Sequence, residues 1–421
     1  MTRAITNLGV DGGRLWADIM ALANITDPAA PFTRRSFSRL FADGRDWLTK
    51  RFHEAELETR IDAAGNLIGR IEGSDPRAGS IIVGSHTDTV PSGGRFDGIA
   101  GVAAGLEIVR VLRERKIALR HALEIVDFLA EEPSEFGLSC IGSRGMSGRL
   151  TAAQLQFSKP DGEKLSEALA RVGGEPARLA EAKRSDIRAG FELHIEQGTV
   201  LETGAIDIGV VTAIVGITRI EVVFEGKAGH AGATPMHRRH DALVAAARLV
   251  DRVRILAEES AAQGRGYFVA TTGVIEARPN ASNIIPGSAR LIIDARSESR
   301  EALVEFRERL DRESLVLARA ASVERPRFET LSDTLPSACD ESLRQLLKTA
   351  ANGLGLSFVD IASGAGHDTA FLSHIAPAAM VFIPCKDGAS HCPEEWCEPK
   401  EVAAGTAVIL EAVLEFDRGE T

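Results

Sequence analysis

The chain has 421 residues, of which 44% are hydrophobic and 26% charged, and it carries 40 glycines; this composition describes a globular protein with a substantial core, and the length favours two domains. A formal net charge of −11 argues against a general nucleic-acid surface and against an anionic membrane as partners. Five cysteines, together with an N-terminus that lacks a secretory apolar region, predict a cytoplasmic protein with reduced thiols.

The first third of the chain alternates helical and strand patterns. Apolar residues recur at helical spacing over residues 12–53, which predicts two opening helices. Strands are predicted at residues 66–71, 80–84 and 122–129, and the pattern at 98–115 predicts a long helix between the last two. This alternation indicates an α/β sheet.

The composition changes after Ile214, where a βαββαβ pattern begins. This order is ferredoxin-like, and the segment is compact enough to be an inserted domain. The sequence therefore predicts one domain from residues 1–214 and 331–421, and a second, inserted domain from residues 215–330. The elements are predicted as strand 217–225, helix 241–258, strand 267–276, strand 289–295, helix 299–320 and strand 323–330, followed by helix 340–354, strand 378–383 and helix 400–416.

A histidine and two aspartates follow the apolar residues 81–83. This β-branched segment is typical of a strand buried on both faces, and ligands collect beyond the carboxyl ends of such strands. His86 lies at that end, and Asp88 has the type and reach to accept the second N–H of its ring. Asp97 is either a metal ligand or the N-cap of the helix that follows. Taken alone, this segment leaves a metal site and a capped turn equally open.

Three further strand ends carry side chains that can bind metal. Strand 123–129 continues into Glu131 and Glu132, and adjacent carboxylates on extended chain point oppositely, so one can bind metal while the other faces substrate as a base. His194 lies in a third apolar strand, and His391 follows a fourth. A solvated turn or a core histidine explains each residue alone. Their shared position in one predicted domain favours a site for Zn, Mn, Co or Ni, in which one shared carboxylate could hold two ions.

These residues fall within a set of motifs that runs along nearly the whole chain. The motifs are Gly84-Ser85-His86 with residues 93–98, Glu131-Glu132, residues 192–198, residues 229–232 with 234–236, residues 279–287, residues 364–368, and Ser390-His391. Together they resemble the amidase, hydantoinase and carbamoylase branch of the aminoacylase and carboxypeptidase metallohydrolase superfamily. That branch includes N-carbamoyl-L-amino-acid hydrolases, β-ureidopropionases and allantoate amidohydrolases.

The resemblance implies a fold and a metal site. The implied fold is α/β, with a mixed-sheet metallohydrolase domain and an inserted ferredoxin-like domain for dimerisation or as a lid. Asp97 is implied to bridge two divalent ions, Zn or Mn first and Co or Ni as alternatives. His86 and His194 would complete one coordination set, and Glu132 and His391 the other.

The resemblance also implies roles in catalysis and substrate binding. Glu131 is the implied general base, Asp88 supports the metal site from behind, and His230 polarises the scissile carbonyl from a neighbouring subunit. An ion pair at a strand end remains the alternative for Arg296, and a turn for Asn283. The substrate contacts implied by the resemblance are Gln197, Asn283, Arg296, Gly364 and His367.

The implied activity is hydrolysis of a linear C–N bond in an N-carbamoyl (ureido) amino acid, with Glu131 activating the attacking water. Pro133 stands where many carbamoylases have glycine, which leaves the substrate subgroup open to allantoate, ureidoglycolate, an acyl amino acid or a dipeptide. A metal-binding protein without catalysis would lack a ligand or the base, and every expected position is filled. The expected partners are a small substrate that carries a carboxylate and a second copy of the chain, without nucleic acid or membrane.

Overall fold

The computed structural model describes residues 9–419. The N-terminal segment used to predict localisation and the final two residues lie outside this range. Within it, no helix combines the length and the hydropathy needed to cross a membrane. The described chain divides into two compact units, the first formed by residues 9–212, 339–361 and 367–419, and the second by residues 213–338 and 362–366.

The described residues form α-helices, β-strands and short 3₁₀ turns, each numbered in chain order within its kind where it has a label. The helices are α1 (Gly12–Ala23), α2 (Arg39–Glu54), α3 (Ile99–Glu114), α4 (Ile141–Met146), α5 (Leu165–Arg171), α6 (Val200–Gly204), α7 (Ala242–Ala262), α8 (Arg300–Ala320), α9 (Glu341–Gly353), α10 (Thr369–Leu372) and α11 (Pro399–Gly419). The strands are β1 (Glu58–Ile61), β2 (Leu67–Ile71), β3 (Ser80–His86), β4 (Ala122–Phe128), β5 (Ile187–Ile195), β6 (Ile208–Ile214), β7 (Gly216–Glu225), β8 (Gly229–His230), β9 (Phe268–Arg278), β10 (Ile284–Ile285), β11 (Ser288–Ser297), β12 (Arg327–Asp333), β13 (Ser337–Ala338), β14 (Phe358–Ser363) and β15 (Ala378–Ile383). The 3₁₀ turns are Gln154–Gln156, Pro176–Ala182, Met236–Arg238 and Lys386–Gly388.

The first unit is built on a mixed sheet with the strand order β1-β2-β4-β3-β5-β15-β6, and β14 also pairs with β6. Strands β4, β3, β5 and β15 are parallel neighbours, so their carboxyl ends meet at one edge of the sheet. Every residue of β3, β4 and β15 is buried, as expected for strands covered on both faces. Helices α3 and α11 pack against these strands and against each other. The prediction of an α/β protein with a mixed sheet is confirmed.

The second unit contains a four-stranded antiparallel sheet with the order β12-β7-β11-β9. Along β11 buried and partly exposed residues alternate, which is the period of a strand with one face on a core. Helices α7 and α8 pack together on the buried face. The short strands β8 and β10 pair in the same unit, with Ile284 opposite His230. The helices and three of the four long strands lie where the sequence predicts them, with small shifts at their ends.

The last strand and the limits of this unit differ from the sequence prediction. Strand β12 begins at Arg327 rather than at residue 323, because the Val323 N–H is used to close the end of α8 by donating to the Ala318 carbonyl at 3.0 Å. The second unit also includes residues 213–214, 331–338 and 362–366, which the sequence places in the first domain. Residues 331–338 join this unit because β12 continues past residue 330 and β13 pairs with the end of β6.

Candidate metal centre and active site

Side chains with metal-binding atoms gather beyond the carboxyl ends of the parallel strands of the first unit. His86 is the last residue of β3, and His194 lies next to the last residue of β5. The paired glutamates follow β4 directly after Ala130, whose φ of 53° turns the chain sharply at this point. Asp97 precedes α3, and His391 lies in the loop between β15 and α11.

Asp97 stands between two groups of these side chains. Its Oδ1 atom lies 3.5 Å from His86 Nε2 and 3.2 Å from His194 Nε2. Its Oδ2 atom lies 3.4 Å from His391 Nε2, which in turn lies 3.1 Å from Glu132 Oε1. In each group the potential ligand atoms lie within 4.8 Å of one another. The two oxygens of one carboxylate therefore face two separate clusters.

The rings of His86 and His194 are oriented with Nε2 toward the first cluster. His86 Nδ1 lies 3.0 Å from the main-chain carbonyl of Asp88, and His194 Nδ1 lies 2.9 Å from that of Ile195. With each Nδ1–H donating to a carbonyl, Nε2 is left as the ligand atom. His86 Nε2 is buried and has no hydrogen-bond partner among residues 9–419. A set of nitrogen and oxygen donors without thiolate fits a borderline divalent cation.

The electrostatics of the clusters favour positive charge. Burial opposes the charged form of Asp97, but the surrounding histidines outweigh burial and hold the pKa of its carboxyl well below the usual range. Hydrogen bonds to Asp97 and Glu132 raise the pKa of His391 to about 11. Without metal, a protonated histidine supplies the positive charge beside the carboxylates. Divalent ions would displace these protons on binding.

Glu131 is buried beside the first cluster, with Oε2 at 3.5 Å from His86 Nε2. Burial raises the pKa of its carboxyl well above the usual range; His86 opposes this shift, and the negative charges of Glu132 and Asp88 add to it. A carboxyl whose pKa is raised in this way accepts a proton more readily than an exposed one.

Asp88 acts differently from the sequence prediction. Its main-chain carbonyl, not its carboxylate, is the acceptor nearest to His86 Nδ1, since the carboxylate Oδ1 lies farther away at 3.6 Å. The two carboxylate oxygens instead accept the backbone N–H groups of Glu131 and Glu132, each at 3.2 Å. Asp88 therefore fixes the main chain of the paired glutamates.

Comparison with known proteins decides the family. Residues 82–415 match Peptidase family M20/M25/M40. An N-carbamoyl-L-amino acid amidohydrolase of Geobacillus stearothermophilus is 36% identical over 98% of this chain and 100% of its own length. A ureidoglycolate hydrolase of Oryza sativa subsp. japonica is 35% identical over 96% of this chain and 84% of its own. The crystal structure of an amidase of the hydantoinase/carbamoylase family from Burkholderia multivorans has a TM-score of 0.89, with 36% identity over 96% of this chain and 98% of that chain.

The chain belongs to the M20/M25/M40 family. The resemblance inferred from the motifs is thereby confirmed. Members of this family depend on two divalent metal ions, and the two clusters around Asp97 are the candidates to hold them.

The second unit holds His230, expected to polarise the scissile carbonyl, and Asn283, expected to contact substrate. His230 is exposed, and its Nδ1 accepts the backbone N–H groups of Gly232 at 3.1 Å and Ala233 at 3.2 Å. Because Nδ1 is an acceptor, the ring hydrogen is placed on Nε2. The main-chain carbonyl of Asn283 accepts the Ala231 N–H at 3.0 Å, and the pairing of β8 with β10 joins the two segments. This unit thus presents an exposed N–H donor at His230.

Arg296 and Gly364 also meet within the second unit. Arg296 Nε donates to Asp294 Oδ1 at 2.7 Å, and Nη1 donates to the Gly364 carbonyl at 2.8 Å. The ion pair considered as an alternative is therefore present, while 31% of the arginine side chain stays exposed. Gly364 orients this arginine through its carbonyl.

His367 and Gln197, for which the sequence predicts substrate contacts, also contact residues of the candidate metal clusters. His367 is 1% exposed, and its ring centroid lies 4.5 Å from that of His194. Burial and the neighbouring His194 lower the pKa of His367 well below the usual range. Gln197, at a φ of 57°, donates from Nε2 to Asp97 Oδ2 at 2.7 Å. Gln197 thus combines a left-handed backbone conformation with a hydrogen bond to the Asp97 carboxylate.

Sequence reasoning assigned no role to two residues that contact Asp97. Ser390 Oγ lies 2.8 Å from Asp97 Oδ2, and Glu395 Oε1 accepts the Asp97 N–H at 3.1 Å. Ser390 belongs to the motif that contains His391, which could have drawn attention to it. Glu395 ends an acidic pair that resembles a solvated turn, and only the fold shows that it is completely buried.

Proposed function

We propose that this chain hydrolyses N-carbamoyl (ureido) amino acids with the help of two divalent ions, Zn or Mn first and Co or Ni as alternatives. The observation that carries the proposal is the position of Asp97, whose two carboxylate oxygens face two clusters with Glu131 alongside one of them. The name of the relative from Geobacillus stearothermophilus, which aligns along its full length, supports the substrate class. His86, Asp97 and His194 would hold one ion, and Asp97, Glu132 and His391 the other.

In the proposed reaction, water attacks the carbamoyl carbon and the bond to the amino-acid nitrogen breaks. Ions bound in the two clusters would supply Lewis acidity, polarising the carbonyl and lowering the pKa of water. Glu131 takes the proton from the attacking water and returns it to the leaving nitrogen. The amino acid leaves, and the carbamate breaks down to ammonia and carbon dioxide.

The second unit is proposed to bind the substrate and to form the dimer. Its strand order, fourth-first-third-second along the sheet, supports a ferredoxin-like domain that acts in dimerisation or as a lid. His230 would donate from Nε2–H to the developing oxyanion of a substrate bound to a partner subunit. Arg296 would hold the substrate carboxylate, for which a planar guanidinium is suited, and Asn283 would contact the substrate nearby. We place this homodimer in the cytoplasm, without nucleic-acid or membrane partners.

A second candidate function keeps the same metal centre and changes the substrate. The rice relative is named a ureidoglycolate hydrolase and is 35% identical over 96% of this chain. Ureidoglycolate and allantoate are also ureido acids, so both could use Arg296 and Glu131 in the same roles. Acyl amino acids and dipeptides share only the amide bond and are the more distant alternatives.

A substrate panel tests the proposal. The purified chain is loaded separately with Zn, Mn, Co and Ni and assayed for ammonia release from N-carbamoyl-L-amino acids, allantoate and ureidoglycolate, and for cleavage of acyl amino acids and dipeptides. We expect turnover of N-carbamoyl-L-amino acids. Preference for allantoate or ureidoglycolate would select the second candidate, and turnover of acyl substrates alone would contradict both.

A further inference from the structure

A buried carboxylate, Glu395, connects the loop that carries His391 to the segment that carries Asp97. The side chain of Glu395 has no exposed surface. Its Oε1 atom accepts the backbone N–H of Phe96 at 2.7 Å and that of Asp97 at 3.1 Å. These bonds fix the main chain at the aspartate whose two oxygens face both metal clusters.

The other oxygen of Glu395 faces the serine next to His391. Ser390 Oγ lies 3.3 Å from Glu395 Oε2 and 2.8 Å from Asp97 Oδ2, so the hydroxyl stands between the two carboxylates. His391 itself has a φ of 57°, a conformation that persists only where neighbouring contacts hold it. The Glu395 carboxylate thus contacts both segments that contribute to the second cluster, the one that carries Asp97 and the one that carries His391.

Gly94 and Arg95, which precede Asp97 in the chain, make further contacts with the loop that contains Glu395. A Cβ atom on Gly94 would lie 1.9 Å from the carboxyl carbon of Glu395, so only glycine leaves room for the buried carboxylate. Arg95 Nη1 donates to the carbonyls of Pro393 at 3.1 Å and Glu395 at 2.9 Å. The guanidinium also lies 4.0 Å from the ring centroid of Phe32. The loop and the Asp97 segment are therefore joined through both side chain and main chain.

We infer that Glu395 is a positioning residue that holds Asp97 and His391 in the relative positions needed to bind metal ions. The inference rests on the proposed metal centre and adds to it a residue that touches neither ion nor substrate. Side chains that orient metal ligands typically account for about 10–100-fold in metal affinity. Because Glu395 accepts the backbone N–H groups of Phe96 and of Asp97, the proposed shared ligand, we expect it to affect metal affinity by the same factor.

The test measures metal binding by the full-length chain, with Mn²⁺ and Zn²⁺ as the probes in equilibrium dialysis. We expect Glu395→Ala to weaken binding about 10–100-fold. Glu395→Gln should restore most of the affinity, because the amide oxygen can still accept both backbone N–H groups. With ureido substrate at saturating metal, the loss should appear mainly in kcat rather than in KM, because Glu395 does not contact the substrate.

A matched control separates positioning from general destabilisation. Asp62 Oδ1 also accepts two backbone N–H groups, those of Ala64 and Asn66, each at 2.9 Å, in the turn between β1 and β2. Asp62→Ala should reduce thermal stability and leave metal affinity at the wild-type value. If Asp62→Ala and Glu395→Ala weaken metal binding equally, the inference is overturned.

A second variant displaces the carboxylate without removing it, which covers the case in which Glu395→Ala fails to fold. Gly94→Ala places a methyl group where the Glu395 carboxyl lies, so it should weaken metal binding in the same direction. Wild-type affinity in a folded Glu395→Ala or Gly94→Ala chain contradicts the inference, as does a wild-type chain that binds neither ion. A wild-type chain that binds metal but cleaves no ureido acid contradicts the proposed function alone, because dialysis needs no substrate.

Discussion

Several side chains of the candidate metal centre are held by a second contact behind the atom that faces the clusters. A main-chain carbonyl orients the His86 ring, the Asp97 carboxylate accepts a hydrogen bond from Gln197, and the Asp97 backbone N–H donates to Glu395. Asp88 fixes the main chain of the paired glutamates. Contacts of this kind lower the entropic cost of bringing several ligands together, since the rotamers are set before any ion binds.

Glu131→Gln tests the proposed general base. The amide keeps the shape of the side chain but cannot take up a proton, so turnover should fall by roughly 10²–10⁴-fold. Metal content should stay at the wild-type value, because Glu131 belongs to neither of the two clusters. The measurements are kcat with an N-carbamoyl amino acid and metal content by mass spectrometry. Glu135→Gln, an exposed neighbour, is the control and should behave as wild type; unchanged turnover in Glu131→Gln would remove this residue from the mechanism.

The residues of the centre differ in how well the sequence alone identifies them. His86, His194 and His391 could be recognised because each accompanies an apolar strand that the pattern marks. The part played by Asp88 could not, because the choice between its carbonyl and its carboxylate depends on backbone geometry after the strand. Glu395 could not be recognised either, since its burial depends on residues 94–97, which are nearly 300 positions away along the chain.

The parallel strands of the first unit bring the residues of the candidate metal centre together. Four parallel strands, β4, β3, β5 and β15, end at the same edge of the sheet, although they come from three separate parts of the sequence. Apolar patterns revealed the strands, but not which strands are neighbours. The start of β12 was missed because the β-branched Val323 looks like strand sequence and instead closes the end of α8.

Gly98→Ala tests how α3 is placed relative to β3. Gly98 has a φ of 69°, and a Cβ atom there would lie 2.4 Å from Cε1 and Nε2 of the His86 ring. We expect a loss of more than about 1 kcal/mol in the free energy of unfolding, because alanine is strained at this φ. Weaker metal binding should accompany that loss, because the ring must move. Both are measurable by urea denaturation and by dialysis against Mn²⁺.

The control for this variant is Gly353→Ala at the end of α9. Apart from its two chain neighbours and the nearby backbone of α9, no described atom lies within 4 Å of a Cβ built there, and φ is not in the left-handed region. This change should be neutral or stabilising by up to about 1 kcal/mol. If the two variants have the same stability and the same metal affinity, the close approach of Gly98 to His86 has no consequence for the site.

In the whole molecule, the proposed division of labour between subunits can be tested by mixing inactive variants. Glu131→Gln and His230→Ala chains are each expected to be inactive alone. If His230 acts on the partner's site, subunit exchange creates mixed dimers with one intact site, giving about a quarter of wild-type turnover. The measurement is activity against mixing ratio after exchange.

Mixing Glu131→Gln with His86→Ala provides the control, because both residues belong to the first unit and no exchange restores an intact site. This mixture should stay inactive. Absence of recovery in the first mixture, with dimers verified by light scattering, would mean that His230 serves the site of its own chain.

The distribution of the clusters along the sequence has a consequence for biosynthesis. Ser390 and Asp97, which meet at the centre, are 293 positions apart along the chain, and β15 must pair with β5 before the loop with His391 has a support. Joining such distant segments carries an entropic cost that is met late in folding. While the ribosome is still making the last strand, the emerging protein therefore contains all three residues of the first cluster, His86, Asp97 and His194, but lacks His391 of the second. An ion in the second cluster can then bind only after the loop that follows β15 is in place, so the two proposed ions differ in the stage of synthesis at which they can bind.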